Sequence, residues 1–370
     1  MRVLMTGGGT AGHINPAIAI ADKIKQEHPD AEVLFVGTPD RMETRLVPAA
    51  GYPLKTVKVS GFSRSLSLKG LAHNVTAVTR AVTASAACRK IIREFKPDIA
   101  IGTGGYVCGP VLRQAAKMGV PVVVHEANAL PGVTIKMLCK QAKAVLVCNE
   151  AARARLPEDA NVIVTGNPVK TEFGKIGYNT AREELGLDQR PLILSFGGSL
   201  GAAKLNEAMQ TVLANAAETG VVNCMHATGR GNYDAFCAAL PDAVKTAKNI
   251  RVREYIDDMP RCMAAADIVI SRCGAMSLAE LPIAAKPSIL IPSPYVAENH
   301  QFYNAQVLVK AGAAVCIEEK DLDGAALWNA IVECNVPEKR NAMGAAAKTL
   351  AVTDATDRIY AVIKEILNIA

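Results

Sequence analysis

No two of the ten cysteines form a CxxC pair, and no run of eighteen apolar residues occurs in the 370-residue chain. The first absence argues against a zinc ribbon and against a disulfide framework. Cys88, Cys108, Cys139, Cys148, Cys224, Cys237, Cys262, Cys273, Cys316 and Cys334 sit singly, the pattern of reduced, packed thiols. The second leaves no candidate for a spanning helix. Aromatic residues are scarce, at 4%, which argues against a groove that stacks bases and so against a nucleic-acid partner. Low-complexity segments are missing. The N-terminus runs straight into a strand-like segment with no charged-then-apolar leader, so a cytoplasmic protein is expected.

Acidic residues are scarce in one stretch. Residues 55–96 hold nine basic side chains and one acid, Glu94. Residues 1–166 carry 21 Lys and Arg against 12 Asp and Glu, a balance of +9; residues 167–370 carry 20 against 23, a balance of −3. A basic half is suited to a phosphorylated substrate or an anionic lipid surface. Half of the residues are hydrophobic, enough for two cores in a chain of this length.

What is present is an opening that occurs twice. Arg2–Thr6 is followed by Gly7-Gly8-Gly9-Thr10-Ala11-Gly12-His13, and Leu192–Phe196 by Gly197-Gly198-Ser199-Leu200-Gly201-Ala202. Each reads as strand, glycine turn and helix, which aims backbone N–H groups at a phosphate. Strand-like runs alternate with helical stretches throughout: Glu32–Val36, Ile99–Ile101, Val120–Val124, Val145–Val147 and Val162–Val164, then Val221–His226, Ile250–Arg253, Ile268–Ile270, Ser288–Ile291 and Ala313–Ile317. These predict two parallel α/β sheets covered on both faces. The breaker cluster Thr165–Lys170 places a boundary between domains 1–166 and 167–352. Apolar residues at Ile359, Val362, Ile363 and Ile366 predict a terminal helix within 353–370 that can pack back on the first domain.

Gly7–Gly12 satisfies the dinucleotide pattern, but the second strand ends Phe35-Val36-Gly37-Thr38 with no acid at the usual spacing. A dehydrogenase is therefore disfavoured. Asn15 as cap and Pro16 as first helical residue would leave His13 just outside the helix, either a general base or a packing histidine. Thr103-Gly104-Gly105-Tyr106 and His125-Glu126-Ala127-Asn128 put polar groups at two adjacent strand ends, a site or ordinary loop chemistry. In the second half, Ser199 can bond a phosphate oxygen. Glu280 can accept two ribose hydroxyls or be a solvated helix acid. Glu298-Asn299-His300-Gln301 offers partners for sugar hydroxyls. Asp321-Leu322-Asp323 is formally a metal-binding DxD, but a helix cap is the better reading, and Asp257-Asp258 is no better as a metal site. Leu68, Leu71, Val75, Val78 and Val82 form a helical stripe among basic residues, either core or interfacial.

These residues together resemble the MurG family, GT-B glycosyltransferases of family 28. The resemblance runs over nearly the whole chain, through GGGTAGHINP, GTPDRMETRLVP, GTGGYVCGP, HEAN, GNPVK, GGSLGA, YIDDM, SRCGAMSLAEL and ENHQ. It implies a GT-B fold of two Rossmann-like domains facing across a cleft. The implied activity is inverting transfer of N-acetylglucosamine from UDP-GlcNAc to the 4-hydroxyl of undecaprenyl-diphosphate-linked MurNAc-pentapeptide, lipid I to lipid II. That is a step of peptidoglycan and cell wall biogenesis, tied to cell shape and division. At the donor, the resemblance implies the Ile256 backbone for uracil and Glu280 for ribose. Ser199, Ala275, Met276, Ser277 and Lys170 fall to the diphosphate. Thr10, Ala11, Gly12, Asn128, His300 and Gln301 fall to the sugar. At the acceptor it implies Gly104, Gly105, Tyr106 and His125, with His13 as base and Glu126 as a second catalytic participant. No metal or cofactor is implied. The lipid acceptor makes a peripheral position on the cytoplasmic face of an anionic membrane expected.

Three positions depart from the family pattern. Lys170 stands where Arg is usual, which replaces a two-pronged donor with a point charge. Ala127 stands where Gln is usual, and Ala11 where Gly is common. The alternatives are a UDP-GlcNAc 2-epimerase-like enzyme, which leaves the basic first half unexplained, and a non-catalytic sugar-nucleotide-binding protein.

Overall fold

Alternate residues of a strand face opposite sides of its sheet. In β1 (Arg2–Thr6), Leu4 joins one buried cluster with Val36, Ala100, Val124 and Val145. Its neighbours Val3 and Met5 join another with Phe35, Ile101, Val123 and Leu146. A strand that is apolar on both faces needs cover on both, and that is why these runs read as continuous rather than alternating.

The computed structural model describes residues 1–59, 84–169 and 172–369. The chain divides into two compact units, one of Met1–Val169 with Asp354–Ala370 and one of Lys170–Thr353. The first unit contains β1, β2 (Glu32–Gly37), β3 (Leu54–Thr56), β4 (Ile99–Gly102), β5 (Val122–Glu126), β6 (Ala144–Val147) and β7 (Val162–Val164). Its sheet order is β3-β2-β1-β4-β5-β6-β7. Every pairing is parallel, with Met5 opposite Phe35 on one side and Ile101 on the other. The second unit contains β8 (Leu192–Phe196), β9 (Asn223–Ala227), β10 (Ile250–Arg253), β11 (Ile268–Ser271), β12 (Ser288–Leu290) and β13 (Ala314–Cys316), ordered β10-β9-β8-β11-β12-β13 and again parallel. The two units are thus both Rossmann-like. In each, the strand order reverses next to a glycine turn, at β1/β4 and at β8/β11, and such reversals are where parallel sheets bind ligands.

Several details differ from the sequence reading. β5 runs over Val122–Glu126 where Val120–Val124 was expected, which puts His125 and Glu126 inside the strand. β3 was not foreseen, since three residues at a sheet edge are too few to show a period. β9 begins two residues later than its apolar run, because Val221 is exposed. Helix α1 (Ala11–Glu27) starts at Ala11, with Thr10 in extended conformation as its cap, so Pro16 lies inside it. The first helical bond runs from the Ile14 N–H to the Thr10 carbonyl. Pro16 has no N–H to give to the Gly12 carbonyl four residues back, and the helix bridges that gap. His13 therefore belongs to the first turn of α1.

Asp323 accepts the Ala326 N–H at 2.7 Å and caps the helix Gly324–Cys334, in keeping with the cap reading of the DxD. All ten cysteines are free thiols and seven are buried. The terminal helix Ala355–Leu367 buries Ile359 and Ile363 in the cluster that holds Ile20 and Ile24 of α1. Tyr360 bonds His28 at 2.6 Å, and Lys23 pairs with Asp357 at 2.7 Å.

Candidate active site

In the first unit the site is built where β1 and β4 end. Thr103, just past β4, donates its hydroxyl to the His13 carbonyl at 2.6 Å and its N–H to Thr6 at 3.0 Å. The Gly8 N–H donates to the Gly104 carbonyl at 3.3 Å. The two glycine turns are therefore stitched to each other and to the start of α1. The His13 ring lies on Gly104: a Cβ there would stand 2.6 Å from His13 Cδ2. Nδ1 of His13 is 3.1 Å from the Gly8 carbonyl and 3.4 Å from the Thr10 hydroxyl. A carbonyl oxygen only accepts, so Nδ1 carries the proton in that bond and Nε2 carries the lone pair. That is the tautomer a general base needs.

Tyr106 is 76% exposed beside this turn. Helix α2 (Glu43–Ala49) sends Glu43 beneath it. Helix α3 (Cys108–Lys117) begins just beyond Tyr106, with the buried Cys108 thiol at the Gly104 carbonyl.

At the end of β5, Glu126 accepts the Asn128 backbone N–H at 2.8 Å and its side-chain amide at 2.9 Å on one oxygen, and the Gly132 N–H at 2.8 Å on the other. Both oxygens are committed to holding the loop that leads into α4 (Val133–Leu138). His125 does not reach an acceptor from here. It is fully buried, its Nε2 bonds the Gly166 carbonyl at 3.1 Å, and burial pushes its pKa down to about 4. β5 is covered on both faces, and all five of its residues are buried. Ala127 is also buried, and its carbonyl accepts from Asn167 at 2.9 Å.

In the second unit, Ser199 is half-buried in the glycine turn, and its carbonyl accepts the Arg230 N–H at 3.1 Å. The turn leads into α5 (Ala203–Thr219), which has no side-chain cap. The Arg230 guanidinium lies 5.1 Å from the centre of the Tyr255 ring, next to the buried Ile256. After β11, helix α6 (Ala275–Ile283) carries Ala275, Met276 and Ser277 in its first turn and Glu280 in its second, all half-buried. Gln301 accepts the N–H groups of Cys273 at 3.3 Å and Ser293 at 2.9 Å on one oxygen. It thereby joins the ends of β11 and β12. His300 donates Nδ1 to the Ala297 carbonyl at 2.9 Å. A cavity of about 480 Å³ opens between Lys204, Tyr295, Asn299 and Lys320; of the polar segment Glu298–Gln301 it is lined by Asn299 alone. Lys170 and the Leu68–Val82 stripe lie outside the described residues.

The sequence reading had Thr103 only as the start of its glycine turn and gave no role to Thr38 or Glu43. Glu43 lies within GTPDRMETRLVP, where an acid in the first turn of a helix looks like an ordinary helix-start charge.

Residues 3–147 match the glycosyltransferase family 28 N-terminal domain and residues 192–359 the glycosyltransferase family 28 C-terminal domain. The chain is 42% identical over 370 residues to the UDP-N-acetylglucosamine–N-acetylmuramyl-(pentapeptide) pyrophosphoryl-undecaprenol N-acetylglucosamine transferase of Acetivibrio thermocellus, covering 100% of this chain and 99% of that one. The crystal structure of Acinetobacter baumannii MurG superposes with a TM-score of 0.79 at 28% identity, covering 98% of this chain and 99% of that one. A UDP-GlcNAc 2-epimerase from Neisseria meningitidis, solved with UDP-GlcNAc, has a TM-score of 0.68 at 15% identity over 99% of this chain and 100% of that one. It shares the fold alone. With both family 28 domains in order and more than 40% identity to a transferase along its whole length, the chain belongs to the MurG family of glycosyltransferases.

Proposed function

We propose that this chain transfers N-acetylglucosamine from UDP-GlcNAc to the 4-hydroxyl of undecaprenyl-diphosphate-linked MurNAc-pentapeptide, making lipid II from lipid I. The observation that carries the reading is the His13 tautomer, held by the Gly8 carbonyl with its lone pair on Nε2. In one displacement, His13 Nε2 takes the proton of the 4-hydroxyl as that oxygen attacks the anomeric carbon. The bond from that carbon to the UDP oxygen breaks, and inversion gives the β1→4 link.

On this reading the donor belongs to the second unit. The Ile256 backbone reads uracil and Glu280 the ribose. Ser199, the start of α5 and the 274–277 turn take the diphosphate, whose charge rises as UDP leaves. Lys170 keeps its assignment to that diphosphate. His300 meets the sugar. Gln301, whose oxygen already holds two backbone N–H groups, offers the sugar its amide N–H. Thr10, Ala11, Gly12 and Asn128 approach N-acetylglucosamine from the first unit, and Gly104, Gly105 and Tyr106 take the acceptor. His125 drops out of the acceptor set because it is buried. Glu126 becomes the residue that positions Asn128.

The acceptor's lipid calls for a peripheral position on the cytoplasmic face of the membrane. No helix among the described residues is long and apolar enough to cross one. Val133 and Met137, one turn apart on α4, are 50% and 59% exposed and support an interfacial face there.

The test is UDP release from UDP-GlcNAc with and without a soluble short-chain lipid I analogue, with products identified by mass spectrometry. Acceptor-dependent release with a disaccharide product is expected. His13→Ala should lower kcat about 100- to 10,000-fold while donor affinity stays within twofold. Isomerised sugar without acceptor dependence would mean an epimerase, and binding without turnover a sugar-nucleotide-binding protein.

A further inference from the structure

Glu43 takes no part in the chemistry above, yet it is fully buried beneath the first glycine turn. Its Oε1 accepts the Thr38 N–H at 2.9 Å and the Thr38 hydroxyl at 2.6 Å. Its Oε2 accepts the Gly9 N–H at 3.0 Å. The side chain fills the room left by Gly8, where a Cβ would stand 2.6 Å from Oε1. Burial pushes its carboxyl up, but the bonds from Thr38 and Gly9 outweigh that and hold it below the usual range. Glu43 is therefore an anion at neutral pH.

The Gly9 N–H and the Gly8 carbonyl belong to one peptide group. In a planar trans peptide those two bonds point in opposite directions. With its N–H turned inward to Glu43, this peptide must aim its carbonyl the other way. That carbonyl is the one 3.1 Å from His13 Nδ1. We infer that Glu43 is a positioning residue for the transfer reaction: through the Gly8–Gly9 peptide it orients and polarises the acceptor that holds His13. A buried carboxylate thus acts on the imidazole at one peptide's remove.

Two effects follow. The bond to Gly9 keeps the peptide from rotating, so the ring stays in one orientation with its lone pair on Nε2. A negative charge at the N–H end makes the Gly8 oxygen a stronger acceptor, and that favours the imidazolium formed as the proton is taken. Cys108, bonded to the Gly104 carbonyl in the same cluster, has its thiol pushed by burial up to about 11 and is neutral. The Thr10 hydroxyl at Nδ1 is uncharged.

The inference rests on the reading of His13 as the base, so the experiment separates the two. The imidazole of isotope-labelled His13 is titrated by NMR in the full-length wild type and in Glu43→Gln, and the pH profile of kcat/KM is recorded beside it. In Glu43→Gln the His13 midpoint should fall by about 0.5–1 pH unit. The acid limb of kcat/KM should move with it, kcat should drop about tenfold, and donor affinity should hold within twofold. Thr38→Val removes a hydroxyl from Oε1 but leaves the charge and the Gly9 bond. It should cost stability without moving the His13 midpoint. If Glu43→Gln fails to fold, Glu43→Asp draws the carboxylate back by one methylene and should still lower the midpoint. A variant that loses stability with the His13 midpoint and acid limb unmoved overturns the inference and leaves Glu43 a loop scaffold. A wild type with no acceptor-dependent turnover overturns the transferase reading instead, and the titration alone then decides the coupling.

Discussion

Gly201→Ala should disable the donor half of the site by moving one turn. Gly201 lies in the glycine loop after β8 at φ +76. A Cβ there would stand 2.0 Å from the Thr228 carbonyl oxygen. That oxygen has little room to retreat, since it accepts from Asn206 at 2.9 Å and from Asn232 at 3.3 Å. The Thr228 N–H is in turn bonded to the Arg253 carbonyl at 3.0 Å. The glycine loop must therefore yield by about 1.4 Å to reach an ordinary contact of 3.4 Å. The left-handed φ costs alanine about 1 kcal/mol. A shift of that size breaks one or two hydrogen bonds to a charged phosphate, each worth about 1.5–3 kcal/mol. Donor binding should then weaken by about 2–4 kcal/mol, roughly 30- to 1,000-fold. Calorimetric titration with UDP-GlcNAc measures this directly, and thermal unfolding checks that the fold survives. Gly220→Ala is the control at the far end of α5: it has a similar φ of +63, but its nearest neighbour would be 3.9 Å away. It should lower stability by about 1 kcal/mol and leave donor affinity alone. A folded Gly201→Ala protein that binds donor within twofold of wild type would refute the argument.

Away from the site, Asp267 accepts from Arg182 at 3.0 Å, the Leu192 N–H at 2.8 Å and the Tyr178 hydroxyl at 3.1 Å. Asp267→Asn leaves the buried Arg182 guanidinium unbalanced and should cost about 3 kcal/mol in urea unfolding, with donor affinity unchanged; a loss well under 1 kcal/mol would count against it. A pH dependence follows from the two buried histidines. Burial pushes the pKa of His125 down to about 4 and that of His226 to about 3. Both lie below the unfolded value near 6.5, so the unfolded chain takes up protons first. Their contribution is complete above about pH 6.5 and shrinks as the pH falls, by about 2 kcal/mol each between pH 7.5 and 5. Urea unfolding at both pH values should show this, with His226→Leu flattening the second unit's share. An unchanged pH slope in that variant would sink the assignment.

Much of the fold was legible because its signals are local. A strand covered on both faces must be apolar at every position, and so β1, β4, β5 and β8 stand out as short runs. A turn with positive φ favours glycine, and so the two loops at the sheet reversals are visible in the chain. The ordered motifs carried the family. Less of the site was legible. Pro16 looked like the first residue of α1, since nothing local shows that Thr10 would cap the helix one turn earlier. His125 and Glu126 looked alike as polar residues at a strand end, but cover on both faces of β5 buries the two of them, His125 is bonded to the Gly166 carbonyl, and the loop consumes both oxygens of Glu126.

The sequence by itself determined two parallel α/β units, the glycine turns at their strand ends and the family. Period, propensity and turn chemistry act over a few residues. The tertiary structure alone decided which polar groups are spent on structure and which remain for chemistry. His13 takes its tautomer from the carbonyl of Gly8, the Gly8–Gly9 peptide is bonded through its Gly9 N–H to Glu43, and Glu43 lies 34 residues from Gly9. Hydrogen bonding is directional and reaches about 3 Å, so partners this far apart along the chain are brought together only by folding.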